Sequence, residues 1–458
     1  MQATLKAEWA MRRNGVLSLK KEGNRMSTEV LKDKSYYGHS KIAQWGVADD
    51  QMTTLQKWLC FSALFLFATF ALYSNMMLAP CLMGVAETFG IEPANMGWIM
   101  SVFTVTGLIL AYPATWIMQT FGIKTSVVAS GVLSLLGNFI CLSSNGDAAI
   151  FMAGRAVQGC GMGLICVLGP NIMPRLMPME KMGVTMGIWS QWVVPGIAIA
   201  SFTTAGLYAE GGWQMLFYVS TAATAICLAL VLVFVKMPLV PENVLYAAEN
   251  GDKKAEETQQ KPQKGYPVSA VLVGIVFFAW CFEYGTFNSY YPTFAQEVAG
   301  MDMFGASLTT FIAAVATIPG GIFVGWLADK LRMRKAMLLV GLAITAVYAA
   351  FFMWRFDSAS SIYVGCVFLG LVCAALVPTA TRVLIPVLAV DPKVTDWALT
   401  GMAFVTQLAN LLAGFFMTIV AARGYEFAGY IVGALMCVAF IIMLFVKSDR
   451  AVDRPLGK

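Results

Sequence analysis

Runs of about twenty mostly apolar residues recur along the whole chain, near 58–78, 96–118, 125–142, 149–172, 183–207, 213–235, 268–291, 305–327, 336–354, 361–385, 398–421 and 427–446. A run of that length crosses a hydrocarbon core of ~30 Å at a rise of ~1.5 Å per residue, so each is read as a membrane-spanning α-helix. With 58% of residues hydrophobic, 12% charged and a mean hydropathy of +0.69, the composition lies far from that of a soluble domain.

The cations set the orientation. Lys and Arg in short loops are retained on the cytoplasmic side. With the N-terminus inside, 28 of the 31 Lys and Arg fall in inside segments. Only Arg355 and Arg423 fall outside, and Arg155 lies within a span. Both termini are therefore expected to be cytoplasmic, in a bacterial inner membrane. The net charge of +5 follows from this topology and calls for no nucleic-acid partner.

The ten Cys are scattered singly through apolar spans without a C-x-x-C pair, and they read as small hydrophobes. The single His, His39, lies in the N-terminal tail, so an intramembrane imidazole relay is excluded. No cleavable signal peptide is recognisable, and no metal or cofactor is expected. Lys21-Glu-Gly-Asn-Arg-Met26 could be encoded by a ribosome-binding sequence just before Met26, which makes residues 1–25 candidates for an untranslated leader.

Met237 to Tyr266 is the one long polar insertion and reads as a solvated linker. It divides the chain into a tail (1–57), six spans (58–235), the linker (236–267), six further spans (268–446) and a second tail (447–458). The halves echo each other. Gly163-Leu-Ile-Cys-Val-Leu-Gly-Pro-Asn-Ile-Met-Pro-Arg175 matches Gly370-Leu-Val-Cys-Ala-Ala-Leu-Val-Pro-Thr-Ala-Thr-Arg382 at its Gly, Leu, Cys and Arg. Thr115-Trp-Ile-Met-Gln119 matches Gly325-Trp-Leu-Ala-Asp329, with Lys124 opposite Arg334.

Gly325-Trp-Leu-Ala-Asp-Lys-Leu-Arg-Met-Arg-Lys335 resembles the loop signature G-x-L-A-D-[RK]-x-G-R-[RK] of the major facilitator superfamily of secondary transporters. Arg155-Ala-Val-Gln-Gly-Cys-Gly resembles its fourth-helix signature R-x-x-Q-G-x-G, and Gly212-Trp-Gln-Met-Leu-Phe217 its entry to helix six. The antiporter pattern of the fifth helix is only half present, as Pro195-Gly196. The resemblance implies an all-α membrane protein whose twelve transmembrane helices form two pseudo-symmetric six-helix bundles. It also implies that Gly325, Asp329, Lys330, Arg332, Arg334 and Lys335 act as a conformational latch, biasing one of two access states. Gln119 stands in the Asp place of the N-terminal copy, which weakens any latch there.

Arg155 lies eight residues beyond Asp147, about 12 Å along a helix from its outer end. A cation at that depth faces a polar cavity or a partner. Glu283 is the only carboxylate well inside a span and lies at similar depth on helix seven. A Glu without a partner in low dielectric takes up a proton, whereas pairing with Arg keeps it ionised. Alternation of Glu283 between these conditions would couple proton movement to transport. Tyr73, Asn75, Gln158, Gln191, Tyr284, Asn288, Gln407 and Asn410 are the further polar residues expected to line a solute pocket between the halves or to join helices.

These residues lead to an expected function: a secondary transporter, acting as a monomer in the lipid bilayer, that takes up a small organic solute with protons. Arg155 tilts the solute toward an organic anion. The rivals are an efflux antiporter for lipophilic or cationic compounds, with Glu283 and the helix-seven aromatics as the cation site, and a transporter-like solute sensor. An enzyme is not expected, because no nucleophile, base and orienting group occur together.

Overall fold

A computed structural model of the protein describes residues 37, 40–178, 185, 188–242, 267–331, 334–389, 392–421 and 423–446. Residues 1–25, most of the linker and the C-terminal tail lie outside the described residues. The twelve expected spans are twelve helices, and the fold class is the one the sequence implies. The first six are α1 (Thr54–Met76), α2 (Gly97–Phe121), α3 (Ile123–Leu142), α4 (Ala148–Leu176), α5 (193–210) and α6 (213–234). The last pair is one stretch, Val193–Phe234, broken at Gly211 and Gly212, where Gly212 takes a φ of 64° that suits only glycine. The second six are α7 (Pro267–Ala299), α8 (Met303–Leu331), α9 (Arg334–Phe351), α10 (359–389), α11 (Pro392–Ala421) and α12 (Tyr425–Phe445).

By length and composition, eight described helical stretches could cross a membrane, with α5 and α6 counted as one. The described apolar parts of α2, α9 and α11 are shorter. α1 begins four residues before its apolar run because Thr53 and Gln56 form a reciprocal capping box that satisfies its first amides. α4 begins at Asp147, whose side chain accepts from the Ala149 and Ile150 amides.

Within each half the helices pack in corresponding pairs. Gly159 and Gly163 bring α4 against α2 so closely that a Cβ would fall 1.9 Å from the Phe103 carbonyl oxygen or 2.5 Å from Gly107 Cα. Gly370 does the same for α10 on α8, with a Cβ 2.2 Å from the Ala313 carbonyl oxygen. The thirteen-residue echo is thus one backbone-to-backbone contact made twice. Between the halves, α2 packs on α11 and α5 on α8.

The apolar core distinguishes the two ends of the molecule. Remote from the linker, one continuous cluster joins both halves, from Met77, Leu78 and Trp213 to Tyr291, Phe294 and Trp354. Phe202 meets Phe304 and Phe311 there, and Gln296 Nε2 donates to the Pro80 carbonyl (3.1 Å). Toward the linker each half has its own cluster, one built on α1, α4 and α5 and the other on α7, α9 and α11, with Ala314 reaching the first. The halves are sealed together at one end and part at the other.

Ahead of α1, residues 40–52 cross the linker-side end of the N-terminal half. Val47 bridges to Met237, Tyr37 Oη donates to the Pro238 carbonyl (2.9 Å), and Gln51 Nε2 donates to the Val240 carbonyl and to Glu242. Lys57 pairs with Glu242 at 2.5 Å. The N-terminal loop copy lies beneath this strap. Gly122 (φ 86°) has no room for a Cβ against Ala43, and Lys124 donates to the Leu232 carbonyl (2.7 Å) under the Trp45 ring.

Gly159→Ala is expected to lower the midpoint of thermal unfolding in detergent, read by size-exclusion chromatography after heating, by an overpacking cost of ~1–3 kcal/mol. Gly206→Ala, where nothing lies within 4 Å of the added carbon, should leave it unchanged.

Candidate functional site

A cavity of about 200 Å³ lies between the halves on the side where their cores separate. α1, α2, α4 and α5 form one wall with the turn Ser190–Trp192, and α7, α8, α10 and α11 form the other. Of the sequence-predicted residues, Asn75, Gln191, Tyr284, Asn288, Gln407 and Asn410 line it. Arg155, Gln158, Glu283 and Tyr73 do not; each is buried within its own half. Among the described residues, the lining contains no Asp, Glu, Lys, Arg or His.

The stripe on α7 follows the helical repeat: Phe277, Trp280, Tyr284 and Asn288 face the cavity. The Trp280 and Tyr284 rings stack with centroids 5.2 Å apart. Trp280 Nε1 donates to the Cys373 carbonyl (3.2 Å), at the end of the π turn Leu369–Cys373 in α10. A π turn breaks the regular ladder and frees carbonyls, and here one of them orients a wall residue. The Tyr284 hydroxyl lies beside the Asn288 and Thr317 side chains. Sequence reasoning passed over Trp280, Thr317 and Thr406. Trp280 had a usable signal, because it lies one turn before Tyr284 on the same stripe.

Arg155 sits directly behind the wall, fully buried. Its Nε donates to the Ile99 carbonyl (3.3 Å), Nη1 to the Ser74 carbonyl and to Gln158 Oε1 (both 2.8 Å), and Nη2 to Asn75 Oδ1 (2.5 Å). The Phe103 ring lies 4.7 Å from Cζ. Every acceptor is neutral, so among the described residues this cation has hydrogen bonds and no counter-ion. Gln158 passes the network to Asn138 on α3, Asn138 Nδ2 donates to Ser220 Oγ on α6 (3.4 Å), and Ser220 meets Ser74 on α1 (2.7 Å). Asn138 was missed in sequence, although Ser126, Ser130, Ser134 and Asn138 form an i, i+4 polar row on α3.

In this conformation Glu283 does not pair with Arg155. It precedes Tyr284, and at ~100° per residue it points away from the cavity into the C-terminal half. Both carboxyl oxygens are buried without a hydrogen-bond partner.

Of the expected latch, Gly325 lies within α8, Arg332 lies outside the described residues, and so do the side chains of Asp329, Lys330 and Arg334. Lys335 Nζ donates to the Val446 (2.5 Å) and Leu444 (3.3 Å) carbonyls. It caps the C-terminus of α12, where the helix dipole favours a cation.

Arg155→Lys is expected to destabilise the fold measurably in the same thermal assay, because an ammonium cannot satisfy acceptors on α1, α2 and α4 at once. Each buried acceptor left bare costs ~1–3 kcal/mol. Asn138→Leu should have a smaller effect of the same sign.

An MFS-type efflux pump, MMF1, of Pseudozyma antarctica (strain T-34) is 26% identical over 40% of this chain, and the match spans 34% of that relative's length. A probable galactarate/D-glucarate transporter, GudP, of Escherichia coli (strain K12) is 20% identical over 65% of this chain and 71% of its own. The crystal structure of a D-xylose-proton symporter superposes with a TM-score of 0.65 at 14% identity, covering 86% of this chain and 99% of that one. Residues 63–393, well over half of the sequence, match the family described as the Major Facilitator Superfamily, and the chain belongs to it.

Proposed function

We propose that this protein is a secondary transporter that takes up a small organic anion with protons by alternating access, in a bacterial inner membrane with both termini cytoplasmic. One observation carries the anion: the uncompensated Arg155 cation is hydrogen-bonded to Asn75 Oδ1, and Asn75 lines the cavity. With its oxygen so engaged and polarised, the Asn75 amide presents its N–H donors to the cavity. A positive charge about 6 Å from a carboxylate contributes ~3 kcal/mol at an effective dielectric of ~20. The amides of Gln191, Gln407 and Asn410 supply further donors around the same space. The likeness to a probable galactarate/D-glucarate transporter supports a carboxylate solute.

Alternating access is supported by the uneven core. One end is closed by a continuous apolar cluster, and the cavity lies where the halves part, which corresponds to an inward-open state when the linker side is cytoplasmic. Glu283 is the proposed proton carrier. Burying an ionised carboxylate without a partner is costly, so its proton leaves only when the conformational change supplies a donor or water. The loop from Gly325 to Lys335 serves as the latch that opens and reforms in each cycle, and one copy of the chain suffices.

A second reading has its own observation. The stacked Trp280 and Tyr284 rings in the wall suit a flat lipophilic cation, and efflux pumps are among the relatives.

The readings separate in a thermal-shift panel on the purified full chain with D-glucarate, D-gluconate, D-xylose and ethidium. This is followed by uptake of the stabilising labelled compound into proteoliposomes under an imposed pH gradient. A carboxylate is expected to stabilise and to accumulate, with KM raised about tenfold in Asn75→Leu, a loss of ~1.4 kcal/mol. In Glu283→Gln, gradient-driven uptake should vanish while exchange persists. Stabilisation by ethidium and by none of the carboxylates would reverse the assignment.

A further inference from the structure

We infer that the solute is a sugar acid with a single carboxylate, whose hydroxyls are read by Gln407 and Asn410 on α11 and whose carbon chain lies on the Trp280 and Tyr284 rings. The inference rests on the solute being an organic anion. It follows from how the hydrogen-bonding capacity of the cavity wall is divided.

Two wall amides are half committed. Asn75 accepts from the Arg155 guanidinium through its Oδ1 (2.5 Å), so only its N–H groups remain for the cavity. Asn288 is the reverse: its Nδ2 donates to the Tyr284 carbonyl (2.7 Å), and its Oδ1 is buried without a partner. An acceptor left unmatched in a wall calls for a donor. A hydroxyl supplies one, whereas a second carboxylate does not.

Three further amides are uncommitted. Gln191, Gln407 and Asn410 line the cavity, and their side chains make no hydrogen bond among the described residues. Gln407 is only 9% exposed, so its free amide is enclosed by protein with the cavity as its outlet. Glycines make the room for these groups. A Cβ on Gly107 of α2 would fall 3.0 Å from Gln407 Nε2, and one on Gly285 of α7 would fall 2.6 Å from Asn410 Oδ1. Positions 407 and 410 are neighbours on one helix face, so both amides serve the same space.

A primary amide donates and accepts side by side, as does each hydroxyl of a polyol, so adjacent amides fit adjacent hydroxyls. A plain aliphatic carboxylate would displace the water from these amides and leave them unmatched, which costs affinity. The faces of the stacked Trp280 and Tyr284 rings carry negative potential, which suits the polarised C–H groups of a chain whose carbons bear oxygen. Positive charge reaches the cavity at one place. Among the described residues no cation lines it, and Arg155 acts through Asn75. One carboxylate is therefore matched, and a second would be desolvated without a partner.

The test measures binding to the purified full chain by titration calorimetry, with D-gluconate, D-galactonate and D-glucuronate set against hexanoate, D-glucitol and D-glucarate. At least one of the three monocarboxylic sugar acids is expected to bind about tenfold tighter than hexanoate and than D-glucarate. In Gln407→Met, which keeps the length and loses the amide, and in Asn410→Leu, the preference over hexanoate should fall about fivefold. A preference is a ratio within one variant, so a general loss of stability leaves it unmoved. Hexanoate binding as tightly as the sugar acids, or a preference unchanged in both variants, overturns the inference and leaves the organic-anion reading standing. D-Glucarate binding as tightly as the monocarboxylic acids overturns the single carboxylate. Binding by none of the carboxylates, or by D-glucitol as tightly as by the sugar acids, overturns the organic-anion reading and the inference with it.

Discussion

The guanidinium of Arg155 is the constraint around which the N-terminal half is built. A cation in a membrane interior has to be solvated by the protein, and here carbonyls and amides do what water or a carboxylate would do elsewhere. Four hydrogen bonds draw on α1, α2 and α4, and the onward links through Gln158, Asn138 and Ser220 reach α3 and α6. Five of the six helices are thus held in register by one charge. Because all its acceptors are neutral, the charge stays electrostatically available to the cavity one residue away.

The C-terminal half solves the converse problem differently. Its buried ionisable group, Glu283, receives no such shell: both of its carboxyl oxygens are buried without a hydrogen-bond partner. One half is satisfied and rigid at its polar centre, while the other has unmet hydrogen-bonding capacity. That difference suits a machine in which one bundle holds the solute's charge and the other changes its own.

The fold was legible because its constraint is one-dimensional: hydrophobic length fixes a helix, and the repeated Gly, Leu, Cys and Arg fix which helices correspond. The site was legible only in part. Amides in the spans read well, since Asn75, Asn288, Gln407 and Asn410 have few reasons to be there other than a cavity or a partner. Depth along a helix is readable from sequence, but facing is not when neighbours on all sides are apolar. That is why Arg155 and Glu283, placed at similar depth, turn out to sit behind the walls and apart. Trp280 looked like one aromatic among many until the π turn in α10 gave its indole a carbonyl.

The strap ahead of α1 gives the two halves unequal mechanical roles. By fastening the start of the linker, Met237 to Glu242, and the loop at Gly122 and Lys124 onto one segment, it ties the strap, that loop and the linker's first residues into one unit. A loop already clamped from outside has no need of its own acid and cations. Gln119 can therefore stand where the other copy keeps Asp329, and in the proposed cycle the switching on that face falls to the C-terminal half.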